Sequence, residues 1–189
     1  DCTFGKDRGG DVAVLTALGI ELGFSVDTVA PVSDANGAIS SSRIRDALIA
    51  GDPRRAAALL TRPFAIAGNV QHGDKVGRTI GFPTANVDMG HYLRPKYGIY
   101  AVRALLPDGR TLDGAANLGI RPTFDPPKEL LEPFFFDFAE NLYDQNIEVQ
   151  LIAYLRAEAK FDSLDALTTQ MHADCDAARQ ILAGNAQVA

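Results

Sequence analysis

Short apolar runs separated by turn residues occupy the chain from residue 64 to residue 156, and they restrict its possible folds more than any other feature. The clearest run is 97–106, YGIYAVRALL, which the turn 107–109, Pro-Asp-Gly, separates from the run at 111–118. Turn residues between two apolar runs predict a β-hairpin. The other runs predicted as strands are 64–72, 130–138 and 147–156. Five or six strands at short intervals favour an antiparallel barrel.

Helical periodicity flanks these strands on both sides. Apolar residues at helical spacing predict a helix that Ser163 caps and that runs to about Leu182, long enough to cover the barrel. Upstream, the pattern predicts a helix at 11–22, a strand at 24–32, a turn at 33–37, a helix from Ser40 or Ser41 to about 50 and a helix at 52–60. The change in pattern at 62 predicts two domains, 1–62 and 63–189.

The segment 68–86, GNVQHGDKVGRTIGFPTAN, has the composition of a phosphate-binding loop. Its four glycines permit backbone N–H groups to converge on an anion, and Lys75 and Arg78 add positive charge. Thr84 and Asn86 offer hard oxygen atoms of the kind that Mg²⁺ accepts. The alternative is a glycine-rich turn with a buried threonine and asparagine. The segment matches neither the P-loop pattern nor GxGxxG.

The string GDKVGRTIGFPTAN resembles the flavokinase motif, in which a glycine-rich loop leads into PTAN. This resemblance implies a mainly β fold, a six-stranded antiparallel Greek-key barrel with a C-terminal helix. It also implies a riboflavin kinase that uses ATP and Mg²⁺, with Thr84 and Asn86 holding the metal. The nucleotide-binding residues expected on this basis are Gly68, His72, Gly73, Asp74, Lys75, Gly77, Arg78, Pro83, Thr84 and Asn86.

Residues 1–62 carry a second resemblance. ISSSRIR, at 39–45, is similar to the ISSTxIR motif of nucleotidyltransferases, and DCTFGKDRGGD is similar to the preceding segment of bacterial FAD synthetases. The resemblance implies the end of an α/β, Rossmann-like FMN adenylyltransferase module. The HxGH segment that opens such a module is not in the sequence, and Ser42 replaces the usual threonine. We therefore expect FMN but no FAD as a product.

Glu132 is the candidate catalytic base. It lies in the apolar run LLEPFFFDF, where a carboxylate without a partner would be costly. The run resembles the family segment LExHLLDF, whose glutamate is the catalytic base, although Pro133 and Phe134 depart from that pattern. The alternative is a carboxylate at a strand edge that faces water.

Two further motifs suggest flavin contacts. NLGIRPTF resembles the family segment NxGxRPTF, which implies contacts from Asn117, Arg121 and Thr123, although an ordinary turn with a solvated arginine would have the same composition. Asp174 and Arg179 lie where the family has flavin contacts on the last helix. A salt-bridged surface helix explains that pair nearly as well.

Charge and cysteine content limit the partners. The net charge of −6 argues against nonspecific binding of nucleic acid, and no apolar run approaches the length of a membrane span. Residues 43–124 carry twelve Lys or Arg against six Asp or Glu, whereas residues 125–176 carry three against twelve. The candidate phosphate loop thus lies in the basic half. Two cysteines without a CxxC pair predict a reducing, cytoplasmic location and no zinc site.

Two other kinds of function remain compatible with these patterns. One is a barrel that binds flavin without catalysis. The other is an assembly module that associates with itself through residues 1–62.

Overall fold

The structure of the protein is a computed structural model. It describes residues 3–72, 81–121 and 128–185, without the side chains of residues 121, 128 and 185. The chain divides between Ile39 and Ser40 into two units, residues 1–39 and 40–189. The helices at 41–60 therefore group with the barrel, although the sequence predicts a domain boundary at residue 62.

The first unit contains a short 3-10 helix at Lys6–Arg8, helix α1 at Val12–Leu22 and a two-residue hairpin of β1, Ser33–Asp34, with β2, Gly37–Ala38. The Asp11 carboxylate accepts a hydrogen bond from the Val14 amide at 2.9 Å, so it caps α1 as predicted.

The strand predicted at 24–32 is wrong. The segment has no regular secondary structure, and no strand in the described part of the chain pairs with it. Its amide at Phe24 instead donates to the Gly19 carbonyl at the end of α1. An alternating sequence becomes a strand only when a neighbouring strand satisfies its backbone groups.

In the second unit, two capped helices precede the barrel. They are α2, Ser41–Ala50, capped by Ser40, and α3, Pro53–Leu60, capped by Asp52. Leu48 of α2 is 1% exposed, and with its buried neighbours it packs against Phe64 and Leu93 of the barrel unit. The Lys96 amide also donates to the Leu48 carbonyl at 3.0 Å.

Six antiparallel strands form the closed barrel and a last helix follows them. They are β3, Phe64–Gln71; β4, Asn86–Asp88; β5, Gly98–Leu105; β6, Thr111–Arg121; β7, Lys128–Phe135; β8, Asn146–Arg156; and α4, Leu164–Asn185. The order around the barrel is β3-β4-β7-β6-β5-β8, with β8 pairing back onto β3. The predicted barrel and its C-terminal helix are confirmed. Strand β4 is the strand that the apolar runs did not reveal.

Alternation along each strand separates the barrel core from its outer face. Ile147, Val149 and Leu151 of β8 are 0% exposed and point into the core, as the period of two requires. On the outer face, Ala178 and Leu182 of α4 pack against a surface of small residues, Ala101, Ala115 and Ala153. Small side chains permit the helix to lie close to the barrel, so α4 covers one part of the outer face.

Candidate active site

Three neighbouring strands bring together one residue each from the motifs singled out in the sequence. Strand β7 lies between β4 and β6. Glu132 on β7 is directly opposite Asn117 on β6. On the other side Val87 pairs with Leu131, and continuing this register places Asn86 opposite Glu132. Asn86, Glu132 and Asn117 therefore form a row across the sheet.

This row lies on the outer face of the barrel. The following residues on β4 and β6, Val87 and Leu118, are 0% exposed and lie in the barrel core, as does Leu131 on β7. Because successive side chains alternate between faces, the row points outward. Asn86 is nevertheless only 9% exposed, and Glu132 and Asn117 are half-buried.

The hydrogen-bond pattern brings Asn86 especially near to Glu132. The Ala85 amide donates to the Pro133 carbonyl at 2.9 Å, so Ala85 and Pro133 form a hydrogen-bonded pair of the antiparallel sheet. The two kinds of pair alternate along the strands, so Asn86 and Glu132 form a non-hydrogen-bonded pair, in which the two Cα atoms are about 4.5 Å apart. The carboxylate at 132 and the amide at 86 can thus act on one ligand.

Pro133 does not interrupt β7. It is paired with Ala116, and Glu132 with Asn117, without a shift of register. The Pro133 carbonyl faces the β4 side, so the N–H that proline lacks would also face that side. Strand β4 begins at Asn86, so this position lies beyond its end and only one bond of the pairing is lost.

Aromatic packing holds the PTAN segment over β7. Phe82 is 4% exposed and its ring meets the rings of Phe134 on β7 and His172 on α4, each at 5.0 Å between centroids. Phe134, which departs from the family pattern, therefore has a packing role here. Neither Phe82 nor His172 was singled out from the sequence, since only the folded chain joins them.

Thr84 lines a cavity of about 520 Å³ beside this segment. The cavity wall is made by the PTAN segment and by the end and following turn of β7: Val70, Pro83, Thr84, Ala85, Phe135, Phe138, Ala139, Glu140, Asn141, Leu142 and Tyr143. Of the two other predicted nucleotide-site residues that the structure describes, His72 is exposed and stacks on Tyr143 at 3.9 Å. Gly68 is packed against Val87: a Cβ added at Gly68 would lie only 2.9 Å from Cγ1 of Val87.

Several predicted site residues lie outside the described part of the chain. They are Gly73, Asp74, Lys75, Gly77, Arg78 and Thr123, together with the side chain of Arg121. Arg121 is the last residue of β6. The predictions for these residues stay predictions.

Asn117 makes one hydrogen bond with a residue that the sequence motifs did not indicate. Its Nδ2 donates to Oε1 of Glu158 at 3.2 Å. Its Oδ1 is buried and accepts no hydrogen bond from the part of the chain that the structure describes. A buried acceptor without a donor costs about 1–3 kcal/mol. Glu158 follows β8 and shares no motif with Asn117, so only the fold reveals this contact.

Asp174 and Arg179 of α4 are both engaged in ion pairs. Asp174 is 7% exposed; its two oxygens accept from Arg156 at 2.8 and 2.6 Å, and Gln170 donates to it at 3.0 Å. Arg179 binds Asp137 through two hydrogen bonds, which lower the pKa of that carboxyl.

A second polar cluster lies at the start of β7. Tyr97 donates its hydroxyl hydrogen to Glu129, and Arg94 donates to the same carboxylate at 2.6 Å. These bonds lower the pKa of Glu129, and the Tyr97–Glu129 bond raises the pKa of the tyrosine. Cys175 on α4 is partly buried, which raises its pKa to about 11, so it is not a reactive thiolate.

The described residues lack two kinds of feature: a cluster of metal ligands and a membrane-spanning helix. They contain no group of three or more His, Cys, Asp or Glu side chains that could hold a metal ion. Within the same ranges, no helix combines the length and the apolar character needed to cross a bilayer.

The fold places the protein in the class of closed, six-stranded antiparallel barrels with a C-terminal helix, and Asn86, Glu132 and Asn117 form a row on the outer face of this barrel. The family model for riboflavin kinase, Flavokinase, matches residues 60–182. The chain therefore belongs to the riboflavin kinase family.

Curated relatives agree with this assignment. The chain is 41% identical over 179 residues to a bifunctional riboflavin kinase/FMN adenylyltransferase of Haemophilus influenzae, covering 95% of this chain and 58% of that protein. It is 42% identical over 187 residues to the protein of the same name from Pseudomonas fluorescens, covering 98% of this chain and 60% of that one. The chain thus spans somewhat more than half the length of these relatives.

The fold also matches a solved structure. A crystal structure described as a macrolide-efflux protein from Streptococcus pneumoniae is 35% identical, with a TM-score of 0.80, over 95% of this chain and 58% of that one. This similarity supports the fold.

Proposed function

We propose that this chain transfers the γ-phosphoryl group of ATP to the ribityl 5′-hydroxyl of riboflavin, giving FMN and ADP. The observation that carries the proposal is the row of Asn86, Glu132 and Asn117 on three adjacent strands. It joins the end of the candidate phosphate loop to the candidate base. Membership of the riboflavin kinase family supports the choice of substrate.

Glu132 acts as the general base in this proposal. As the 5′-oxygen attacks the γ-phosphorus, the proton of the hydroxyl passes to the Glu132 carboxylate. The new O–P bond replaces the bond between the γ-phosphorus and the bridging oxygen, and ADP leaves. Phosphoryl transfer depends mainly on positioning and on charge stabilisation, so a base held on a rigid strand suits it.

The donor set at residues 84–86 fits Mg²⁺ bound together with phosphates. In nucleotide sites Mg²⁺ keeps several waters and binds substrate phosphates, so it needs few ligands from the protein. The Thr84 hydroxyl and the Asn86 amide oxygen are enough for such an ion, and the described residues contain no carboxylate cluster that could hold it instead. Thr84 and Asn86 would hold the ion. When bound, it would neutralise charge on the β- and γ-phosphates.

The nucleotide would occupy the cavity beside Thr84, which also extends to Tyr143. Its position next to the PTAN segment supports this assignment, and we propose that Lys75 and Arg78 bind the phosphates. On the flavin side, Asn117 is the described residue nearest to Glu132 along β6. Because the ion pairs of Asp174 and Arg179 occupy their charged groups, flavin contacts from these two residues would require an exchange of partners.

The proposal is tested with Glu132→Gln. This change keeps the size of the side chain and removes its basicity, so we expect the rate of ATP-dependent FMN formation to fall about 100-fold or more. Riboflavin binding, followed by quenching of flavin fluorescence, should remain. The matched control is Glu148→Gln, which alters a half-buried glutamate on the outer face of β8.

The same assay separates the rival functions. A barrel that only binds flavin would bind riboflavin without consuming ATP in the wild type. If Glu132→Gln kept the full rate of FMN formation, Glu132 would not be the general base. An assembly function also has a specific observation in its favour, because the first unit exposes Ile20, Val29 and Val32 by 83%, 94% and 74%.

A further inference from the structure

Glu158 determines which way the Asn117 side chain points. A carboxylate can only accept hydrogen bonds, so the group of Asn117 that lies 3.2 Å from Oε1 has to be the NH₂. In the opposite orientation two acceptor oxygens would face each other. The bond thus leaves Oδ1 at the other end of the amide, buried and with no donor in the described part of the chain.

Gly119 provides the space that this arrangement needs. A Cβ added at Gly119 would lie 2.2 Å from Oε1 of Glu158. The backbone of Gly119 has no left-handed φ, so conformational freedom does not explain the glycine. The Glu158 side chain is exposed, and any larger residue at 119 would move its carboxylate away from Asn117.

The orientation matters because Asn117 lies directly opposite Glu132. Opposite side chains on neighbouring strands have Cβ atoms about 5 Å apart. A hydroxyl that gives its proton to Glu132 therefore brings the end of the ribityl chain within reach of Asn117. A buried acceptor needs a donor, and the ribityl hydroxyls are donors.

We propose that Glu158 is a positioning residue that holds Asn117 so that Oδ1 accepts a hydrogen bond from a ribityl hydroxyl of the substrate, and that Gly119 keeps the place of the Glu158 carboxylate open. This assignment rests on the proposed function for the identity of the substrate. It adds two residues, Glu158 and Gly119, that set the preference for the sugar alcohol chain of the flavin.

The test compares two flavins on three variants. Riboflavin carries the ribityl chain and lumiflavin lacks it, and both are titrated by fluorescence quenching in the presence of ADP and Mg²⁺. Glu158→Gln offers both a donor and an acceptor and so cannot impose one orientation. Gly119→Ala displaces the carboxylate and keeps its charge. We expect each to raise the Kd of riboflavin about 10-fold, the effect of one hydrogen bond, with lumiflavin unchanged.

The double variant should bind riboflavin no more weakly than either single variant, because both changes break the same contact. Asp162→Asn is the control for loss of a nearby exposed charge, and Gly184→Ala is the control for an added methyl group in open space. Both controls should bind the two flavins like the wild type.

Three outcomes would overturn the inference: equal losses for both flavins, no loss of riboflavin affinity, or a wild type that binds no flavin. The third would overturn the proposed function as well. A wild type that prefers riboflavin through Glu158 and yet forms no FMN would refute the kinase proposal and keep the positioning role.

Discussion

At the scale of single residues, the carboxylates of Asp174, Glu129 and Glu132 have different neighbours in the fold. Asp174 and Glu129 are satisfied by arginine and other donors within the fold. Glu132 lies between two amides, Asn86 and Asn117, that can share a ligand with it. Glu132 is half-buried, so its contact with water is reduced.

The buried pair of Asp174 and Arg156 provides a test of a structural acid. Asp174→Asn leaves the Arg156 guanidinium, 23% exposed, without its carboxylate. We expect the free energy of unfolding in urea to fall by about 3 kcal/mol, the lower end of the range for a broken buried pair.

The matched control for this change is Asp137→Asn. It breaks the pair with Arg179, in which the aspartate side chain is 80% exposed, so little change in stability is expected. If Asp174→Asn and Asp137→Asn lowered the free energy of unfolding equally, burial would not explain the contribution of the Arg156–Asp174 pair to stability.

At the scale of elements, the helices begin where local chemistry predicts. Asp11, Asp52 and Ser163 each accept a hydrogen bond from the backbone amide three residues later. The β5–β6 hairpin forms at the predicted turn, where the Leu106 amide donates to the Arg110 carbonyl at 2.9 Å. These signals act over a few residues, so the sequence alone is sufficient to locate them.

The cap of α4 can be tested by paired substitutions. Ser163 Oγ accepts from the Ala166 amide at 3.1 Å, so Ser163→Ala should lower the free energy of unfolding by about 1 kcal/mol. Ser163→Asp preserves an acceptor and places negative charge at the positive end of the helix, so it should retain wild-type stability. Chemical denaturation measures both variants. An equal loss in Ser163→Asp would show that capping is not the role of this residue.

At the scale of the whole molecule, packing groups helices α2 and α3 with the barrel, whereas the domain boundary at residue 62 stays a prediction. Leu48 and Ala56 are 1% and 0% exposed, and they pack with Phe64 of the barrel unit. Helices α2 and α3 therefore belong to the compact unit 40–189, although their motif resembles an adenylyltransferase.

Two deletions test this division. Removal of residues 1–39 should leave the thermal unfolding of the barrel cooperative and close to that of the full chain. Removal of residues 1–62 also takes away Leu48 and Ala56, and should cost at least about 2 kcal/mol, the contribution of one buried leucine. Equal unfolding temperatures would show that the helices do not support the barrel.

The deletion of residues 1–39 also tests self-association. If the exposed apolar side chains of the first unit mediate assembly, light scattering should show a concentration-dependent oligomer for the full chain and a monomer for the shortened one. If the full chain were a monomer at all concentrations, the proposed assembly function would be refuted.

The sequence by itself determined the helix caps, the hairpin turn and most barrel strands, because each depends on neighbours along the chain. Its motifs also selected Asn86, Glu132 and Asn117 as candidates. Only the tertiary structure decided that these three stand side by side, since their proximity comes from the order β4-β7-β6. It also decided that residues 24–32 form no strand and that Glu158 orients Asn117. The physical reason is that pairing between distant segments depends on the whole barrel closing, which no short stretch of sequence encodes.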